Sequence, residues 1–403
     1  MSIPHLFRCP ISLDLFTDPV TLSTGQTYDR LSIERWLAGG NLTCPVTMQR
    51  LTDPSLVPNH TLRHLIDQWL LDGPNRSPHQ EPTRRVDHVG FSLAALKQNL
   101  QSPSGGAAAK VETLRKIRIL AMESDVGQSC LIQLGFLSFL LRLLFQNQAT
   151  PWVDNLELAE LALDCILSLS PSTQEAPLSM IKEPSSLASL VTLLEGGNIK
   201  IKTSLCYLLD AISYSPQSEE LCLVIGQNRQ VLQGLVCLLN DRTAATVPAA
   251  EAAVRAISGL CSLEPNQDCA IRSGVVDGLV GYLSHSTRRN AAKALSTLEL
   301  LVGLESGSKA LLRNNGAVRV LVKMIFLVSD DHQGGEHAVG VLLTVCQASA
   351  QARVDAVNAR VLTQLLLLLQ SQCSPKAKNK ARALLKLLSS MWIEDPRVCN
   401  SLI

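Results

Sequence analysis

Apolar residues recur every three to four positions almost without a break over residues 91–403, the pattern of one amphipathic helix after another. Residues 1–73 read differently, as turns, short apolar pairs and two short helical patterns. Between them, 74–90 opens with Pro74-Asn75-Arg76-Ser77-Pro78-His79-Gln80-Glu81-Pro82, with three prolines, scattered charges and almost no apolar side chains. That composition predicts an extended linker. The expected organisation is a small domain at 1–73, a linker at 74–90 and a helical array at 91–403. A Gly/Ala/Ser stretch at 102–109 predicts a flexible loop near the start of the array.

The helical pattern repeats. Gly135-Phe136-Leu137-Ser138-Phe139-Leu140-Leu141 and Ser185-Ser186-Leu187-Ala188-Ser189-Leu190-Val191 open two copies, and others begin at Gln230, Gly274, Gly316 and Arg360. Successive starts lie 50, 45, 44, 42 and 44 residues apart. All-helical periods of ~40–47 residues mark armadillo or HEAT repeats. The copies resemble the armadillo repeat, with its glycine between a short first helix and the second, and about six are expected. Such repeats stack into a superhelix with a long concave face. The resemblance implies that the last helix of each repeat lines this groove and that the groove binds protein segments. Those helices are predicted near 155–170, 198–213, 248–262, 289–303, 335–347 and 376–390. Importin-like arrays carry regularly spaced Trp and Asn, whereas only Trp152 and Trp392 fall in this array, which argues against a nuclear-import receptor.

Composition narrows the chemistry. Hydrophobic residues make up 46% and aromatics only 4%, a balance that suits stacked helices better than sandwiches or barrels. With 36 Lys+Arg against 35 Asp+Glu, the net charge of +1 gives no global reason to bind nucleic acid. The longest apolar run, 131–145, is interrupted by Gln133, Ser138 and Arg142 and is shorter than the ~20 residues of a membrane span. Residues 1–10 lack the apolar core of a signal peptide. No pair among the twelve cysteines has CxxC spacing, and most sit in apolar helical stretches as small hydrophobes. Neither GxxxxGK[ST] nor GxGxxG occurs, so no nucleotide and no other cofactor is expected. The basic run from Lys376 through Lys378 and Lys380 to Arg382 reads as a solvated helix face. The expectation is a soluble, reduced, cytoplasmic protein, with the nucleus as a second location.

Chemistry concentrates in the first seventy residues. Phe7-Arg8-Cys9-Pro10-Ile11-Ser12-Leu13 leads to Asp18-Pro19-Val20, a turn before a short strand, and Ser23-Thr24-Gly25-Gln26-Thr27-Tyr28 predicts a hairpin. Asp29 is placed to cap a helix whose apolar face is Ile33, Trp36 and Leu37. Gly39-Gly40 stops it. Cys44-Pro45-Val46-Thr47 makes a second loop, and Asn59 can cap a final helix bearing Leu62, Leu65 or Ile66, and Trp69. In this order and spacing the segments resemble the U-box, a RING-like α+β fold without zinc. Cys9, Cys44, His5, His60 and His64 are too few and wrongly spaced for paired four-ligand sites, so no metal is expected. A domain this small must then hold its loops with hydrogen bonds and ion pairs. Asp18, Asp29, Arg30, Glu34 and Asn59 are the candidates for that network.

A U-box followed by armadillo repeats resembles the plant U-box family of ubiquitin ligases. The resemblance implies a U-box that docks a ubiquitin-conjugating enzyme carrying ubiquitin as a thioester, and repeats that hold a protein substrate. It implies transfer without a covalent ligase intermediate, and roles in stress or defence signalling. By position, docking falls to Ile11 and Leu13 in the first loop, Trp36 in the helix, and Pro45 and Val46 in the second loop. Many relatives carry a basic or polar residue just after the second loop's Thr47, where this chain has Met48, with Arg50 nearby. The competing reading is a non-enzymatic adaptor whose U-box docks poorly.

Overall fold

The structure, a computed structural model, describes residues 5–51, 53–71, 93–102, 106–123, 125–145, 156–169, 175–215, 218–241, 246–285, 290–327 and 334–394. The predicted linker at 74–90, Trp152, and the side chains of Trp69 and Trp392 lie outside the described residues. The chain forms two compact units, Met1–Phe91 and Ser92–Ile403.

In the first unit, β1 (Pro19–Thr21) and β2 (Thr27–Asp29) pair antiparallel, with Val20 opposite Tyr28. The turn between them closes where Leu22 N–H donates to the Gln26 carbonyl, and Gly25 takes φ +79, a conformation glycine adopts without strain. On the other side of β1 lies β3 (Val57–Pro58), so the strand order is β2-β1-β3. Helix α1 (Arg30–Ala38) follows β2 directly, and α2 (His60–Leu71) follows β3. Alternate strand residues and one face of each helix meet in a single core of Cys9, Phe16, Val20, Leu22, Tyr28, Ile33, Cys44, Leu51 and Ile66. Asn59 caps α2, its Oδ1 accepting from Leu62 N–H at 3.0 Å.

The second unit is helical throughout its described residues. It opens with α3 (Leu93–Gln101) and α4 (Ala107–Glu123). Six triplets follow. They are α5 (Asp125–Gln133), α6 (Phe136–Phe145) and α7 (Leu156–Ser168); α8 (Glu175–Leu178), α9 (Pro184–Gly196) and α10 (Ile199–Ser213); and α11 (Glu219–Gly226), α12 (Arg229–Asn240) and α13 (Val247–Cys261). Then come α14 (Glu264–Arg272), α15 (Val275–His285) and α16 (Ala291–Val302); α17 (Glu305–Arg313), α18 (Ala317–Leu327) and α19 (Gly334–Ala348); and α20 (Ala350–Asn358), α21 (Val361–Gln370) and α22 (Pro375–Glu394). Each third helix packs on the third helix of the next triplet, making a continuous layer α4-α7-α10-α13-α16-α19-α22. The flexible loop expected at 102–109 is shorter than that, because Ala107 to Ala109 already belong to α4. Alanine's high helix propensity carries the helix into the stretch.

In three of the six triplets the turn between the first and second helix contains a left-handed residue. Gly135 (φ +72) and Gly274 (φ +86) supply it, but in the last triplet Arg360 takes φ +63. A side chain there strains the backbone. Arg360→Gly is therefore expected to stabilise the array by about 0.5–1 kcal/mol, the relief being partly offset by the looser unfolded chain. A urea titration followed by helical ellipticity measures it, and an unchanged or lowered midpoint would count against the strain.

Candidate functional site

The two cysteine-proline loops of the first unit share one construction. Cys9 N–H donates to the Asp14 carbonyl and Leu13 N–H to the Cys9 carbonyl, both at 2.8 Å. In the second loop Cys44 N–H donates to Gln49 at 2.8 Å and Met48 N–H to Cys44 at 2.9 Å. Antiparallel bridges close both loops, Arg8 with Leu15 and Thr43 with Arg50. Each cysteine points into the core, and each fifth residue adopts a left-handed backbone, Leu13 at φ +64 and Met48 at φ +59. Their side chains are 67% and 70% exposed. Two large apolar residues thus sit in a conformation that glycine would adopt more easily, with their side chains in solvent. The backbone there closes each loop through the hydrogen bond to its cysteine carbonyl, while the side chain itself adds little packing.

The neighbouring positions complete an apolar surface. Val46 is 51% exposed, so neither it nor Leu13 fills the core. Ile11, Pro45 and Trp36 are half-buried, with Ile11 and Trp36 packed against core residues. Trp36 also ties α1 to the second loop, its Nε1–H donating to the Thr43 carbonyl at 2.8 Å. Behind the loop, Val46 N–H donates to the Tyr28 hydroxyl, which in turn lies 3.0 Å from Cys44 Sγ. Burial and the Cys44 sulfur push the Tyr28 phenol up. Burial also raises the Cys44 thiol, but hydroxyls of Thr24, Thr47 and Tyr28 outweigh it and bring the pKa down to about 6.

The polar candidates hold these loops from behind. Asp29 occupies the N-cap position of α1, yet its side chain makes no cap hydrogen bond to the helix. Instead Oδ1 accepts from Thr17 N–H (2.8 Å), Thr17 Oγ1–H (2.9 Å) and Asp18 N–H (2.9 Å). Burial opposes its charge, but these donors prevail and lower its pKa. Asp18 bridges the two helices, 2.6 Å from Arg30 Nε and 3.4 Å from Arg63 Nη1. Asn59 adds a donor to the strand pair, Nδ2 to Thr27 Oγ1 at 3.2 Å. Glu34 stands apart, half-exposed and no nearer than 3.9 Å to Arg30.

In the second unit the layer of third helices carries a ladder of charge. Arg118 pairs with Asp164, Lys200 with Glu160 and Arg255 with Asp210, each between neighbouring helices. Arg255 also lies 4.8 Å over the Tyr207 ring. Two lysines reach farther: Lys293 of α16 donates to Tyr214 Oη after α10 at 2.7 Å, and Lys380 of α22 lies 2.8 Å from Glu299 of α16. Side chains two repeats apart touch only on the inside of a curve, so this layer lines a concave groove.

A family description of the plant U-box protein ARM repeat region matches residues 92–402, and the U-box domain matches residues 3–74. The chain belongs to the plant U-box proteins with armadillo repeats. Among its relatives, U-box domain-containing protein 26 of Arabidopsis thaliana is 35% identical across 99% of this chain and 94% of the relative. The E3 ubiquitin-protein ligase PUB23 of Arabidopsis thaliana is 29% identical across 100% of this chain and 97% of the relative. A designed armadillo repeat protein of known structure is similar over 74% of this chain at 18% identity, with a TM-score of 0.36. The fold of this plant U-box protein is mostly α, a small RING-like α+β U-box ahead of an armadillo-type α-solenoid. No single helix among the described residues is long and apolar enough to cross a membrane. No group of three or more His, Cys, Asp and Glu among them could hold a metal ion.

Sequence reasoning placed Asp29 as a helix cap, and the structure turns its carboxylate onto the preceding loop instead. It missed α4 as the first groove helix. It also missed the pairing of Met48 with Leu13, although CPISL and CPVTM are legible as copies.

Proposed function

We propose that this plant U-box protein is a ubiquitin-protein ligase whose U-box recruits a ubiquitin-charged conjugating enzyme and whose groove holds the substrate. The docking surface is Ile11, Leu13, Trp36, Pro45 and Val46. The observation that carries the reading is the tip of the first loop, where a left-handed backbone presents the apolar side chain of Leu13 to solvent. Exposed apolar residues on rigid loops fit a partner's surface better than they fit water.

Transfer proceeds without a thioester on the ligase. Cys44 has the lowered pKa of a nucleophile, but it and Cys9 are both 0% exposed in the core, and a buried sulfur cannot reach a thioester carbonyl. The substrate lysine attacks the carbonyl held by the conjugating enzyme, the C–S bond breaks and an isopeptide forms. The ligase contributes position and effective concentration. Cytoplasm and nucleus are the proposed locations.

Autoubiquitination with a panel of conjugating enzymes tests the proposal. Ubiquitin ladders are expected with at least one. Met48 favours the adaptor reading, since an exposed thioether cannot donate a hydrogen bond to ubiquitin as a basic residue can. Absence of ladders across the panel would select that reading. Ladders restored by Met48→Arg would place the defect at that position.

A further inference from the structure

The last repeat lacks the cover that the repeats before it receive. Aligned on the repeat starts Gln230, Gly274, Gly316 and Arg360, the residues Leu362, Leu366 and Leu369 of α21 fall where α18 has Val318, Val322 and Ile325. Those three are buried in α18, whereas Leu366 is 54% exposed and Leu362 and Leu369 are half-buried. In α12 the residues aligned with Leu366 and Leu369 are Val236 and Leu239, and they face the next repeat. A Cβ on Gly278 of α15 would fall 3.2 Å from Val236 and 3.1 Å from Leu239. At the other end of the array α3 packs on α6, but α21 packs on α18, α20 and α22, which all belong to its own repeat or the one before. A terminal repeat ordinarily turns a polar outer face to water. This one ends in a strip of leucine.

Charge beside the strip is one-sided. α21 has no charged residue, and α22 runs through Lys376, Lys378, Lys380, Arg382 and Lys386 before its first acid, Glu394. Only Lys380 of these has a carboxylate partner among the described residues. Arg382 Nη1 donates to the uncharged Asn379 amide at 3.2 Å. The buried run Gly335, Val339, Leu342 and Cys346 of α19 recurs in α22 as Ala377, Ala381, Leu384 and Leu388. That register places Lys378 where α19 has Glu336, and Glu336 reaches forward to Lys380 of the next helix. Lys378 therefore points out of the open end of the stack.

We propose that this end face docks an amphipathic helix of a partner protein, its apolar side on α21 and its acidic side toward Lys378 and Arg382. The incoming helix takes the place that the second helix of a further repeat would occupy, where the ridges of α21 already have the spacing to receive one. Charge decides the occupant. A second copy of this chain would bring another cationic α22 against the first, and like charges oppose that pairing. The inference does not depend on the ligase reading.

The test uses the full chain and a fluorescent helical peptide of about five turns, with leucines at every third and fourth position and alanine and glutamate between them. One counterpart carries lysine for every glutamate, and another has the same residues scrambled. Anisotropy is expected to show binding of the glutamate peptide alone. Leu366→Asp should weaken it roughly tenfold or more, with an unchanged melt because Leu366 is already exposed. Lys378→Glu combined with Arg382→Glu should reverse the preference toward the lysine peptide, which a loss of folding cannot do. Equal binding of the scrambled peptide, or an affinity unchanged in both variants, would overturn the proposal. A reversible dimer in sedimentation that Leu366→Asp dissolves would give the face to a second copy instead. Binding that begins only when residues 395–403 are removed would give it to the chain's own last segment, and no binding in either form would end the proposal.

Discussion

Leu13→Gly is expected to leave the U-box at least as stable as wild type while removing most of its ubiquitin ladders. The two effects part because the side chain and the backbone at this position serve different ends. At φ +64 a leucine strains its backbone, and with 67% of its surface in solvent it returns little packing. Glycine relieves the strain by about 1 kcal/mol. The same change deletes an exposed apolar side chain of the proposed docking surface. Loss of such an anchor typically costs at least ~2 kcal/mol of binding, about thirtyfold in affinity.

Ile11→Ala should act in the same direction on activity but lower stability as well, because Ile11 packs partly on the core. Trp36→Phe separates the two roles of the helix residue, keeping a ring while losing the bond to the Thr43 carbonyl. Thermal melts read stability, and affinity for a charged conjugating enzyme reads docking. A folded Leu13→Gly variant with full ladders and unchanged affinity would remove Leu13 from the interface.

Local signals were legible and long-range ones were not. The hairpin at Gly25, the cap at Asn59 and the second and third helices of each repeat follow from turn chemistry and periodicity within a few residues. The left-handed backbone at Leu13, Met48 and Arg360 was hidden, because none of these residue types announces φ > 0 as glycine does. Asp29 was misread for a related reason. An aspartate before a helix has two possible sets of donors, the helix N–H groups ahead and a folded-back loop behind, and only the tertiary fold decides between them. The contact between Lys380 and Glu299 spans 81 residues and depends on the curvature of the stack. A repeat period carries no such information.

Asp29→Ala is expected to unfold the U-box while the repeats melt as before. Asp29 is 8% exposed, and one of its oxygens collects three donors from Thr17 and Asp18, two of them backbone N–H groups. A hydrogen bond to a charged group contributes ~1.5–3 kcal/mol, and donors stranded without an acceptor cost more than the lost bond. Losing the carboxylate should therefore remove roughly 3–5 kcal/mol, allowing for overlap among the three. The core of so small a domain seldom supplies more than ~3–5 kcal/mol in total. Asp29→Asn keeps an acceptor of the same shape without the charge, and a smaller loss of about 1–2 kcal/mol is expected from it. Acid supplies an independent check. The folded pKa of Asp29 lies below its unfolded value of about 4. Its contribution is therefore complete above pH ~4 and disappears as the pH falls through the lower folded value, so stability rises with pH across that window. The Asn variant lacks this part of the dependence. Hydrogen exchange on the full chain reads both units at once. Amides of 17–30 should lose protection in Asp29→Ala while those of α10 and α13 keep theirs, and protection retained in 17–30 would show that the loop is held by something other than this carboxylate.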